Sequence, residues 1–181
     1  MMEDHLKKYQ HAPAHLFLTD FFYFITASTY NKNRYFEDDN RKKYLYEIIC
    51  DIFNAYDSIL YGYVILDNHY HILGRFKDAF FLPEVIKKIH SKSAVWLNKT
   101  AEKPGRKIWY QYWDECIRDE KDYYAKINYI HWNPVRHGYV DAPELYKFSS
   151  YNSYLNLRGE EWLNVIQKRF PVEEIKSKDD Y

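Results

Sequence analysis

Two β-prone apolar runs, Ile59 to Leu66 and His69 to Phe76, are separated only by Asp67-Asn68. A two-residue turn between two such runs makes a β-hairpin. This hairpin is the strongest constraint on the fold, because every other predicted element must pack around it. Upstream, Phe21-Phe22-Tyr23-Phe24-Ile25-Thr26 is rich in aromatic and β-branched residues and reads as a strand. Asn31-Lys32-Asn33-Arg34 is a loop, and Asp38-Asp39-Asn40 offers helix N-cap chemistry. Tyr44, Leu45, Ile48, Ile49, Ile52 and Phe53 then recur at three- and four-residue spacing, the mark of an amphipathic helix.

Downstream, Pro83 suits the first turn of a second helix, where its missing N–H costs nothing. Leu82, Val85, Ile86, Ile89 and Trp96 form the apolar side of that helix, and Lys87, Lys88, Lys92 and Lys99 supply positive charge along it. Lys103-Pro104-Gly105-Arg106 is a loop before a strand-like stretch, Ile108 to Ile117. Asp119 to about Trp132 reads as a helix interrupted by Pro134. The order strand, helix, strand, strand, helix, strand, helix predicts an α+β fold of the ferredoxin-like, split βαβ kind. Its antiparallel sheet carries helices on one face, and a C-terminal tyrosine-bearing helix is added beyond that core. The expected organisation is one domain over 1–157, with 1–20 as an N-terminal arm and 158–181 as a charged C-terminal tail.

Composition narrows the class. At 46% hydrophobic, the chain can bury a real core. Its 20 tyrosines suit both a small α+β core with an amphipathic rim and stacking on exposed bases. The formal net charge of zero gives no whole-molecule field favouring nucleic acid, so any basic surface must be local. Cys50 and Cys116 form no CxxC pair, no 18-residue apolar run exists, and MMEDHLKKYQ lacks a signal peptide's apolar stretch. The expected location is cytoplasmic, with no membrane partner.

His69 and His71 lie at i and i+2 on a predicted strand, so they project from one face while Tyr70 faces the other. Two neutral imidazoles on one face can share a divalent metal, although an isolated HxH equally suits two histidines satisfied by local hydrogen bonds. A second constellation runs from Asn128-Tyr129-Ile130-His131-Trp132-Asn133 through Pro134-Val135-Arg136-His137-Gly138. At helical spacing Tyr129 and Asn133 fall about 40° apart around the axis, on one face. A phenol and an amide oxygen side by side suit a nucleophile and a metal ligand. They equally suit a packed ring and a helix cap before the proline.

Taken together, His69-Tyr70-His71 after a strand and Tyr129-Ile130-His131-Trp132-Asn133-Pro134-Val135-Arg136-His137-Gly138 resemble the single-tyrosine HUH transposases. Within these, the chain most resembles the REP-associated tyrosine transposases, which carry the IS200-like transposase domain. The resemblance spans about Tyr23 to Tyr154, and includes Phe24-Ile25-Thr26, Trp109 to Trp113 with Arg118-Asp119, and Phe148-Ser149-Ser150-Tyr151. Two positions depart from the family pattern. Tyr70 is the central residue of the histidine motif, and Asp67 stands where a proline is common, either disturbing the turn or orienting a histidine.

The resemblance implies a single-stranded DNA transposase that cuts and rejoins beside hairpins through a 5′-phosphotyrosine intermediate. Tyr129 matches the nucleophile, and His69, His71 and Asn133 match the ligands of Mg²⁺ or Mn²⁺. The implied partners are single-stranded DNA hairpins, bound by a monomer or a homodimer. Arg75, Lys87, Lys88, Lys92, Arg136 and His137 are the candidate DNA contacts, against an ordinary solvated face. Two alternatives stay open: a domesticated hairpin-binding protein that no longer cuts, and a metal-dependent phosphoesterase using water, which would be insensitive to Tyr129→Phe.

Overall fold

Alternation of side chains along the strands divides the molecule into two cores. In a computed structural model describing residues 6–7, 15–16 and 21–172, strand β3 (Phe21–Thr29) turns Tyr23, Ile25 and Ala27 to one face and Phe24 and Thr26 to the other. Strand β5 (His69–Phe76) does the same, with Tyr70, Ile72 and Phe76 on the first face and His71 and Leu73 on the second. Together with β4 (Ile59–Ile65) and β6 (Trp109–Cys116) they form an antiparallel sheet of order β4-β5-β3-β6. A separate two-residue ladder pairs β1 (Leu6–Lys7) with β2 (His15–Leu16). The rest of the expected 1–20 arm, and the tail from 173 onward, lie outside the described residues.

Helices α1 (Asp39–Ala55) and α2 (Leu82–Thr100) cover the first face. Asp38 caps α1 by accepting from the Arg41 N–H, and Pro83 occupies the first turn of α2, as their residue types predict. Leu45, Ile49, Phe53, Val85, Ile86 and Ile89 enter the core with the strand residues. Gly74 on β5 is required by this packing. A Cβ there would stand 2.5 Å from the Phe53 ring, so only glycine lets α1 approach so closely.

Helix α3 (Glu120–Arg136) packs on the second face, with Ile127, Tyr129 and Ile130 against Phe24, Val64 and Leu73. The added tyrosine-bearing helix therefore covers the sheet face opposite α1 and α2. It also runs through Pro134 instead of stopping before it. Pro134 sits in the last turn and forgoes a single N–H, while the following His137, Gly138 and Tyr139 amides all find carbonyls of α3. Phe148-Ser149-Ser150 then docks along β4, with Ile65 N donating to Phe148 O and Ser150 N to Tyr63 O, both at 2.9 Å. Helices α4 (Tyr151–Arg158) and α5 (Glu160–Arg169) follow. Part of the predicted 158–181 tail is thus a packed helix: Asn128 Nδ2 donates to Ile166 O and Phe170 O, and Leu163 and Ile166 are buried.

Candidate active site

The candidate site lies between the second sheet face and α3. His69 and His71 project to that face from the start of β5, directly after the turn, and their ring centroids are 5.2 Å apart. Each Nδ1 is held by a side-chain oxygen. Asn68 donates from Nδ2 to Lys32 O, which fixes its amide so that Oδ1 accepts from His69 Nδ1 at 2.7 Å. His71 Nδ1 lies 2.8 Å from Thr26 Oγ1, and Asn133 Nδ2 faces His71 Nε2 at 3.3 Å. With Asn133 donating, the proton of His71 sits on Nδ1 and is shared with Thr26. Both imidazoles are then Nδ1–H tautomers whose lone pair lies on Nε2, the form that binds metal.

Asn133 is buried, and its Oδ1 has no hydrogen-bond partner among the described residues. An unmet buried acceptor costs about 1–3 kcal/mol, so its retention needs a reason. A divalent cation is one, because two neutral imidazoles and an amide oxygen make an acceptable donor set for Mg²⁺ and a better one for Mn²⁺. Among the described residues no group of three or more His, Cys, Asp and Glu side chains is placed to hold a metal ion, so an ion here would need the amide as well as the two imidazoles.

Tyr129 stands edge-on to His71 with ring centroids 5.0 Å apart, and edge-on to Phe24 at 5.8 Å. Phe24 in turn stacks on His71 at 5.4 Å and 8°. The Arg136 guanidinium lies 5.1 Å above the Tyr129 ring, and His137 meets His69 at 5.0 Å. Tyr129 has no accessible surface. The helical i, i+4 spacing of Tyr129 and Asn133 survives because α3 continues past Pro134.

The fold brings together His69, His71, Tyr129, Asn133, Arg136 and His137. It separates the other predicted DNA contacts from them. Lys87, Lys88 and Lys92 ride on α2, across the sheet from the histidines, and Lys88 pairs with Glu84 at 3.2 Å. Arg75 lies six residues along β5 from His69, roughly 20 Å at strand rise, and lines a cavity with Asp57 and Lys77. Lysine spacing on a helix cannot reveal which sheet face the helix covers.

Thr26, Asn68 and Phe24 contact the site but were not singled out for it by sequence. The Asp67-Asn68 turn was legible, whereas the Thr26–His71 contact joins residues 45 positions apart. Asp67 does not touch the histidines through any described bond. It anchors the turn, with its buried carboxylate 2.7 Å from Lys42 Nζ and 2.9 Å from Arg34 Nε. Burial raises its pKa, but the hydrogen bonds from Lys42 and Arg34 outweigh that and hold it below the usual carboxylate range.

A buried HxH pair on a hairpin strand, facing a buried tyrosine and amide on the helix α3 that covers one face of an antiparallel four-stranded sheet, defines a single-tyrosine HUH fold. The family model "Transposase IS200 like" matches residues 18–131, and the chain belongs to that family. A Haemophilus influenzae protein, "Putative REP-associated tyrosine transposase", is 28% identical over 132 residues, covering 63% of this chain and 74% of that one. An Escherichia coli REP-associated tyrosine transposase is 38% identical over 48 residues, 26% of this chain and 29% of its own. A solved REP-associated tyrosine transposase bound to a REP hairpin superposes with a TM-score of 0.65 at 18% identity, covering 97% of this chain and 95% of that one. The fold class is therefore shared with that transposase. No helix among the described residues is long and apolar enough to cross a membrane.

Proposed function

We propose that this chain cleaves and rejoins single-stranded DNA beside hairpins, with Tyr129 as nucleophile. The Tyr129 oxygen bonds to phosphorus, the bond from phosphorus to the 3′ oxygen breaks, and the phenolic proton is lost as the departing 3′ oxygen gains one. The products are a 5′-phosphotyrosine and a free 3′-OH, so the bond energy is kept for rejoining. The observation that carries this reading is the position of His71, which touches both Tyr129 and Asn133 on one side of α3.

His69, His71 and Asn133 would hold Mg²⁺ or Mn²⁺, which when bound supplies charge neutralisation at a phosphate oxygen. The chain's own groups do the positioning. Asn68 fixes the tautomer of His69, and Thr26 orients His71 by bonding to its Nδ1. Phe24 locks His71 and Tyr129 against each other. Arg136, exposed at the end of α3, places positive charge over the tyrosine ring, where it attracts a phosphodiester. Because Tyr129 is sealed, the side chains packed around it must part for a strand to reach its hydroxyl.

The sealed Tyr129 is also the one observation favouring a second reading, a hairpin-binding protein that does not cut. Incubating labelled hairpin DNA carrying single-stranded flanks with Mn²⁺ separates the two. Cleavage by the wild type and none by Tyr129→Phe supports the transposase reading. Binding without cleavage by the wild type supports the second, and undiminished cleavage by Tyr129→Phe removes the nucleophile assignment.

A further inference from the structure

The net charge of zero conceals a local concentration of cations beside the histidine turn. Residues 30–36 and 103–110 hold Lys32, Arg34, Lys103, Arg106 and Lys107 and no Asp or Glu. The two segments are adjacent, since Tyr30 N donates to Ile108 O at 2.7 Å. None of the ion pairs among the described residues involves Lys32, Lys103 or Lys107. Lys107 Nζ instead lies over the rings of Tyr30 and Tyr110, at 4.7 and 5.4 Å. Arg106 lies 5.4 Å over Tyr35. Tyr110 is 53% exposed, unusual for a ring on a sheet strand.

Asn68 ties this surface to the candidate site. Its backbone O accepts from Thr29 N at 2.8 Å, its Nδ2 donates to Lys32 O at 3.2 Å, and its Oδ1 accepts from His69. The loop bearing Lys32 is thus stapled to a candidate metal ligand by one side chain. Cations interleaved with open aromatic faces are what a single strand needs: charge for successive phosphates, and rings on which unpaired bases stack. A duplex stem cannot use those rings, because its bases are already stacked and paired.

We propose that Lys32, Lys107, Tyr30 and Tyr110 form a track that binds the single-stranded DNA flank and leads it to His69. The proposal rests on the reading of the site as one acting on DNA strands, and it can fail independently of it. Fluorescence anisotropy of labelled oligo(dT) with the full chain, over a salt series, provides the test. Wild type binds, and Lys32→Glu with Lys107→Glu weakens binding at least tenfold and lowers the log–log salt slope by roughly 1.4, about 0.7 per lost phosphate contact. Tyr110→Ala weakens binding at least about fivefold with little change in slope. Lys87→Glu with Lys92→Glu, the same charge change across the sheet, leaves affinity within about twofold. No oligo(dT) binding by wild type, unchanged binding in the first pair, or equal losses in both pairs overturns the track. DNA cleavage dependent on Tyr129 alongside such a result leaves the transposase reading intact. Track-dependent binding without cleavage leaves the track standing and removes the nuclease.

Discussion

Thr26 and His71 sit side by side on β3 and β5, with Oγ1 and Nδ1 2.8 Å apart in the buried sheet. With Asn133 donating to Nε2, the hydroxyl is the group that accepts the His71 Nδ1 proton and holds the ring in place. Thr26→Val preserves shape and loses the oxygen, so Mn²⁺ affinity measured by calorimetry falls about 10- to 100-fold. Thr26→Ser retains the oxygen and stays near wild type. Equal affinity in Thr26→Val would mean that packing against Phe24 alone orients the ring.

Lys42 and Asp67 form a buried pair behind the histidine turn, with side chains 7% and 3% exposed. Removing Lys42 leaves the buried Asp67 carboxylate with only the exposed Arg34 as a partner. Lys42→Met therefore costs about 3 kcal/mol in urea unfolding. Lys42→Met with Asp67→Asn recovers part of that loss, because the stranded charge is gone. Arg34→Ala costs clearly less than Lys42→Met, since Arg34 is 66% exposed. An equal cost for Arg34→Ala and Lys42→Met would contradict the assignment of the buried pair as the anchor.

His90 stacks on Trp109 at 4.4 Å and meets the Tyr70 hydroxyl through Nε2 at 3.0 Å. Burial pushes its pKa down to about 3. The unfolded chain therefore binds a proton, near pH 6.5, that the folded chain refuses. The stability His90 contributes is complete above that pH and is lost as pH falls toward 3. The slope is at most about 1.4 kcal/mol per unit, and less to the extent that the ring keeps solvent contact. Urea unfolding at pH 7 and pH 5 measures it, and His90→Phe flattens the pH dependence relative to wild type. An unchanged slope in His90→Phe would assign the acid sensitivity to other groups.

Local chemistry was the legible part of this chain. Two-residue turn, N-cap and first-turn proline signals placed the hairpin and the starts of α1, α2 and α3 within a residue or two, because each depends on neighbours in sequence. The histidine pair and the tyrosine helix were legible as patterns. Their meeting was not, since Asn133 reaches His71 across 62 residues. Pro134 misled about where α3 ends, because a proline in the last turn removes only one donor. The α2 lysines lie across the sheet from the histidines, a placement their spacing along the helix could not show. Asp67 reads as a turn residue, and only the folded chain shows Lys42 beneath it.

The central claim is that Tyr129 forms the covalent link to DNA. The most direct measurement incubates the full chain with labelled hairpins carrying random single-stranded flanks and Mn²⁺, resolves the products on a denaturing gel, and maps any shifted band by peptide mass. A denaturation-resistant adduct on the peptide containing Tyr129, absent in Tyr129→Phe, is the result expected. An adduct on another tyrosine, or cleavage with no protein–DNA adduct at all, would contradict it.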